Sequence, residues 1–314
     1  MRYSFFIFLI TIGIVARADD SAPGKSDAIA LFEGLASNWE GLDQFDVSVT
    51  VKKFSASPSG KFRDQVETYR LMADFQANRY CFISHGSRVE EGHDDQAANM
   101  AQSTKAFFYD DALEEAWIRE FPDRAKRMHV TSVPLTLSQS RFPDIRLIGC
   151  YDTTRSFSRR FEIGEVFQAE YHPGKPVRIT QTSDKNILVR VDDSYGDGAG
   201  RLSRRLSFDL ELMVPTDIRY LYGNDQRERA LRQEKITWKE MNGVVVPISV
   251  QGELVQQEKI GGKNRDYPES YDVALEWFSV NDEWQTDVDP QVLRDVPKLF
   301  QLLEDRPSTP SDDK

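Results

Sequence analysis

Apolar and polar residues alternate from Asp46 to Lys52: Val47, Val49 and Val51 are apolar, while Asp46, Ser48, Thr50 and Lys52 are polar. A period of two is the pleat of a strand with one buried face. The period is helical just before it. Ile29, Phe32, Leu35, Ala36 and Trp39 recur at three- and four-residue steps, with Ser26 placed as an N-cap and Gly41 where a helix would stop. One amphipathic helix is therefore expected to lead into a run of strands. Phe62 to Phe75 and Arg79 to Ser84 read as two more strands, and Lys105 to Tyr109 with Glu115 to Arg119 as a hairpin around Asp110-Asp111. Leu206, Phe208, Leu210, Leu212 and Val214 predict a single strand over 206–214. Arg204 shares the parity of that apolar face if the strand begins early enough; otherwise it turns outward. Lys235 to Met241, Asn242-Gly243 and Val244 to Val250 form a hairpin signal, because Asn-Gly accepts the positive φ of a type I′ turn. Tyr271, Val273, Leu275 and Trp277 alternate in a last long strand.

Three stretches break this rhythm. Residues 86–103 are polar and patternless, which predicts a loop. Residues 143–170 hold Phe157, Phe161, Val166 and Phe167 at helical spacing, which predicts a helical insertion. Asp289-Pro290 opens a C-terminal helical segment with Leu293, Val296, Leu299, Phe300 and Leu303 apolar, broken or restarted at Pro297. Residues 305–314 read as a disordered tail. The sum is a mainly antiparallel β protein with a few helices, one domain over 19–304.

The first eighteen residues have a different logic. Arg2 precedes an apolar run from Tyr3 to Val15, and Ala16-Arg17-Ala18 offers the small-x-small pattern that signal peptidase reads before Asp19. The run is shorter than the roughly twenty residues a bilayer-spanning helix needs. The expectation is a cleaved signal peptide over 1–18 and an exported bacterial protein, periplasmic or secreted, with no stable membrane anchor. The whole chain carries −11, and residues 19–314 carry −13, since residues 1–18 contain Arg2 and Arg17 and no acid. A chain this acidic is repelled by phosphate backbones, which argues against a nucleic-acid partner. Its two cysteines, Cys81 and Cys150, would form a disulfide in an oxidising compartment or stay as two buried thiols. A bridge over that loop would stabilise the fold by about 4 kcal/mol.

The strand "FDVSVTV" (45–51) after one amphipathic helix, and then "LSFDLELMVPTDIRYL" (206–221), "ITWKEMNGVVVPISV" (236–250) and "LEWFSVN" (275–281), resemble the successive strands of the lipoprotein-carrier superfamily of exported bacterial proteins. The resemblance spans 26–282 and lies in pattern and order. It implies a curved antiparallel half-barrel wrapped around helices, with an apolar interior for a lipid-like ligand or an acylated protein partner. Val47, Val49, Val51, Leu206, Phe208, Leu210 and Leu212 would line that interior, with Arg204 among them awaiting a ligand or a buried carboxylate. The chain is longer than such carriers and adds the 86–103 and 143–170 segments. Two alternatives stand beside this reading: an interaction module packed solid with its own side chains, and a hydrolase whose site has no recognisable motif.

No catalytic constellation appears in the sequence. There is no Gly-x-Ser-x-Gly elbow, phosphate-cradling glycine loop or dinucleotide fingerprint. His85 and His93 flank Glu90, Glu91, Asp94 and Asp95, but the spacing matches no metal signature. Counted from Asp193, the loop Asp192 to Gly198 puts Tyr195 and Arg204 where an EF-hand needs oxygen ligands. Nothing in the chain implies a cofactor or a metal, and no catalytic residue is assigned.

Overall fold

The computed structural model describes residues 25–60, 62–91, 99–112, 115–120, 126–128, 145–149, 177–181, 186–193, 201–224, 227–284 and 295–305. Helix α1 (Lys25–Glu40) precedes six strands: β1 (Gln44–Ala56), β2 (Phe62–Asp74), β3 (Arg79–Glu91), β4 (Asn99–Asp110), β5 (Glu115–Glu120) and β6 (Lys126–Met128). A 3-10 turn at Ile145–Leu147 follows. The second series is β7 (Val177–Gln181), β8 (Asn186–Asp193), β9 (Arg201–Asp209), β10 (Val214–Asn224), β11 (Arg227–Met241), β12 (Val244–Ile260) and β13 (Lys263–Val280). Helix α2 (Val296–Glu304) ends the described chain.

All thirteen strands form one sheet in the order β6-β5-β4-β3-β2-β1-β13-β12-β11-β10-β9-β8-β7. The ladders are antiparallel throughout. Two meanders thus meet at a seam where β1 pairs with β13, and the sheet stays open between β6 and β7. Inward side chains from both meanders join α1 in one hydrophobic cluster, so the sheet curves around that helix. This is the mainly antiparallel half-barrel that the sequence led us to expect; among the described residues one helix lies within it. The second helix sits outside.

Several expectations need correction. The predicted strand over 206–214 is two strands: β9 ends at Asp209, whose Oδ1 accepts from the backbone N–H groups of Glu211 and Leu212. That carboxylate turn, with Met213 at φ 56°, reverses the chain before Val214 starts β10. Leu210 and Leu212 therefore lie in a turn at the core margin rather than on a strand face. The segment 86–103 expected as a loop is strand at both ends, because β3 continues to Glu91 and β4 begins at Asn99. Its polar composition misled because main-chain ladders need no apolar residues. Ser26 lies inside the first turn of α1, which begins at Lys25. The helical insertion falls outside the described residues except for the turn at 145–147.

β1 was expected to be half-buried, yet Phe45 to Val49 is buried on both faces. Arg70 and Phe278 cover Asp46 on the outer face. Beside them, Leu299, Leu302 and Leu303 of α2 cover Met72, Cys81, Ile83, Ala106 and Phe108 on the outer face of β2–β4 as a second core. Asp295 caps α2 by accepting from the Lys298 N–H at 3.3 Å, and Pro297 occupies its first turn, where no backbone donor is lost. Pro297 thus stands at the start of α2. Cys81 is a free, buried thiol in this outer core, while Ile145, Leu147 and Ile148, just ahead of Cys150, pack in the inner one. Of the two states the sequence left open for its cysteines, Cys81 is a buried free thiol here, and Cys150 lies outside the described residues.

Prolines stand at two of the sheet's register shifts, and a tryptophan indole caps the carbonyl of each. Ladder register shifts beside Pro215 and again at Thr237/Trp238 opposite Pro247. The Trp238 indole donates to the Pro215 carbonyl at 2.7 Å, and the Trp277 indole to the Pro247 carbonyl at 2.8 Å. The Asn242-Gly243 turn joins β11 to β12 with φ of 50° and 80°, the positive pair that a type I′ turn requires.

Candidate ligand site

The candidate site is the concave wall beneath α1. Leu31, Phe32, Leu35 and Trp39 form the buried face of that helix. The Phe32 ring meets Phe208 edge-on at 5.1 Å, and Trp39 meets Trp238 at 6.0 Å. Val47, Val49, Leu206 and Phe208 have 0% of their surface accessible and Val51 has 3%. These side chains are closed off from water, and α1 and the turn residues Ile145, Leu147 and Ile148 belong to the same packed cluster. Leu210 and Leu212 touch the same cluster from the turn.

Among the described side chains, polar anchors of α1 lie at its C-terminal end. The Asn38 amide donates to the Val245 carbonyl and accepts from the Val245 N–H, both at 2.8 Å. Asn281 accepts from the Asp43 N–H at 2.8 Å and donates to the Gly41 carbonyl at 2.7 Å. Toward the N-terminus, Leu31 and Phe32 hold the helix by apolar packing.

Below the apolar wall runs a belt of buried polar side chains. Arg204 is in strand β9 and 3% exposed, so its parity with Leu206 and Phe208 does carry it inward. Register places Arg204 opposite Tyr220 on β10, and Tyr220 opposite Arg232 on β11. One pleat repeat nearer the core, Glu234 lies opposite Ile218 on β10 and Gly252 on β12, and Gly252 lies opposite Tyr271. Glu234 has no accessible surface. It accepts the Tyr271 hydroxyl in a short hydrogen bond and pairs with the Arg232 Nε at 3.0 Å. Arg232 also donates to the Tyr271 oxygen at 2.9 and 3.1 Å. Burial, reinforced by the Glu234 charge, raises the Tyr271 hydroxyl above the ordinary tyrosine range, so it serves as a donor at neutral pH. The belt depends on Gly252: a Cβ there would stand 2.0 Å from the Tyr271 ring. The sequence carried a signal for this belt, since Arg232, Glu234 and Ile236 share a parity. In a chain this acidic, an Arg-x-Glu pair reads first as solvated surface.

Other polar features lie elsewhere. On the outer face Asp46 and Arg70 form a buried two-point ion pair, Nε to Oδ1 at 2.6 Å and Nη2 to Oδ2 at 2.8 Å, with the guanidinium 3.1 Å from the Phe278 ring centre. Burial raises the Asp46 carboxyl above its ordinary value, against the pull of Arg70. A shallow open groove of about 410 Å³ crosses the outer face of β11–β13, lined by the polar side chains Gln233, Lys235, Gln251, Glu253, Ser270 and Asp272. His85 bonds the Thr104 hydroxyl at 2.7 Å and packs edge-on to Phe300 at 5.4 Å. His93, Asp94, Asp95 and the 194–198 loop lie outside the described residues. Among the described residues no three His, Cys, Asp or Glu side chains gather as a metal site, and no helix is long and apolar enough to cross a membrane.

No family model and no curated protein matches the chain. Among solved structures it is similar to an outer membrane lipoprotein-sorting protein domain from Vibrio parahaemolyticus, at 8% identity and a TM-score of 0.36, over 86% of this chain and 97% of that one. It is also similar to a DUF1329 family protein from Desulfovibrio piger, at 8% identity and a TM-score of 0.38, over 84% of this chain and 95% of that one. A third likeness is to a beta-barrel-like protein of the DUF1849 group from Brucella abortus, at 7% identity and a TM-score of 0.29, over 76% of this chain and all of that one. The first carries the description whose strand order the sequence resembles. At such scores none bears on the site, and the functional argument rests on this chain's own geometry.

Proposed function

We propose that the protein is an exported, non-enzymatic carrier or sensor that takes an acyl chain, from a lipid or an acylated partner, between α1 and the concave wall. One observation carries this reading. Among the described residues, an apolar wall drawn from both meanders packs against helix α1 and the 3-10 turn, and α1 is pinned near its C-terminal end by Asn38 and Asn281. With α1 seated there is no room at Val47, Val49, Leu206 or Phe208. An acyl chain would therefore enter by replacing Leu31, Phe32 and Leu35, exchanging one set of apolar contacts for another at little net cost. The same zero exposure favours the second reading, an interaction module whose interior is permanently packed.

Phe208→Ala separates the two. In either case the seated Phe32–Phe208 contact is lost, at a cost of about 3 to 5 kcal/mol in denaturant unfolding. In a carrier, the variant also changes affinity for a fluorescent fatty acid, because Phe208 is part of the wall the chain lies on. A packed module binds the fatty acid in neither form. A wild-type protein that fails to bind it, and that carries no lipid when purified from its own export compartment, ends the carrier reading.

A further inference from the structure

We propose that the groove across the outer face of β11–β13 binds a neutral, hydroxyl-rich ligand, a short oligosaccharide, with Phe54 as its stacking platform. The site does not depend on the acyl site. It lies on the opposite face of the sheet, since Ser270 and Asp272 alternate with Tyr271 and Val273, which join the inner core. The groove holds about 410 Å³. Register lays its polar side chains out in rows across the strands. Lys235 stands opposite Gln251, and Gln251 opposite Asp272. In the next row Glu253 stands opposite Ser270, and Ser270 opposite Phe54 on β1. Directly opposite residues share a face, so Phe54 projects on the same side as the groove and borders it. Neighbouring strands lie about 4.8 Å apart, which puts Phe54 roughly 10 Å from Glu253 across the second row.

The polar groups of this groove are uncommitted. Among the described residues, Lys235, Gln251, Glu253 and Asp272 make no side-chain hydrogen bond or ion pair, although Lys52 stands directly opposite Asp272. Around the groove the same face does pair its charges, Arg219 with Asp217 at 3.0 Å and Arg229 with Asp266 at 2.6 Å. Phe54 is 51% exposed, an unusual place for a large apolar ring on a strand otherwise closed from Phe45 to Val49. An aromatic face beside amide, hydroxyl and carboxylate groups suits a sugar. The C–H face of its ring is apolar surface that Phe54 can bury, and each of its hydroxyls both donates and accepts. Charge selects against ions. Lys52 and Lys235 offset Glu253 and Asp272, and the net charge of −11 repels anions further. A purely apolar ligand would leave the same groups without partners.

The test is calorimetric titration of the full chain with maltotriose, cellotriose and chitotriose, each to millimolar concentration. At least one is expected to bind. Phe54→Ala should weaken that binding about fivefold or more, the factor one aromatic contact supplies. Glu253→Ala should weaken it about tenfold, through loss of a charged hydrogen-bond acceptor. Both side chains are exposed, so each variant should keep the wild-type urea midpoint and the wild-type response to oleate. Binding of none of the three sugars refutes the proposal. Binding that neither substitution weakens puts the sugar elsewhere and refutes it equally. Trigalacturonate, whose rings carry carboxylates, is expected to bind more weakly than the neutral sugars; tighter binding would overturn the neutral ligand. Oleate binding without sugar binding ends this site and leaves the acyl site standing, and sugar binding without oleate binding does the reverse.

Discussion

Burial pushes the Cys81 thiol up to about 12, with the Asp46 charge adding to the effect. The folded chain therefore holds this proton to higher pH than the unfolded chain does. Stability from this group is fully present below the ordinary thiol range and falls as the pH rises from 9.0 toward about 12. Tyr69 and Tyr271, raised by the same desolvation, extend the loss at its alkaline end. Urea midpoints measured across that range should fall with pH, and Cys81→Ala should flatten the first part of the slope. Alkylation gives the complementary reading. Cys81 should be inert in the native protein and react once denatured, without reductant. Asp46 and Arg70 make a different point. Removing one partner strands a buried charge, so Asp46→Ala should cost about 3 to 5 kcal/mol, whereas breaking an exposed pair such as Arg229–Asp266 should cost far less. Asp46 was legible in the sequence only as an outward polar residue of an alternating strand. That its outward face would be covered depended on Arg70 and Phe278, brought beside it by the two neighbouring strands.

At the scale of elements, what the sequence made plain were segments whose apolar period matched their burial. β13 buries Tyr271, Val273, Leu275 and Trp277 and exposes the residues between, as its alternation predicts. The Asn242-Gly243 hairpin and the apolar face of α1 follow the same rule. Leu206 to Val214 misled because five apolar residues in alternation outweighed the turn chemistry of Asp209, and periodicity cannot see a side-chain oxygen that caps two amides. α2 is the short element whose removal should tell most. Asp295→Ala deletes its N-cap and should destabilise by about 1 kcal/mol. Because Leu299, Leu302 and Leu303 cover Cys81, the same variant should speed native-state alkylation of that thiol. An unchanged rate would mean that α2 does not gate the outer core.

For the whole molecule, the seam is the feature that no local pattern could supply. Every strand pairing but one joins strands adjacent in the chain, and β1–β13 joins its two ends. The β1 segment is thus in place only when β13 has been made, and non-local pairing of this kind folds slowly. The concave apolar wall was legible in outline from Val47, Val49, Val51, Leu206 and Phe208. The polar belt was not, since it exists only where register brings Arg204, Tyr220, Arg232, Glu234 and Tyr271 side by side. Export, in turn, predicts a mature protein whose intact mass begins at Asp19; a mature form retaining residues 1–15 would instead be membrane-tethered.

The central claim is that α1 occupies the place of the ligand. Amide hydrogen exchange over residues 25–40, with and without saturating fatty acid, tests it most directly. The account predicts that binding strips protection from the first turns of α1 while Asn38 keeps its end of the helix close to Val245. A bound fatty acid that leaves α1 as protected as before would contradict it.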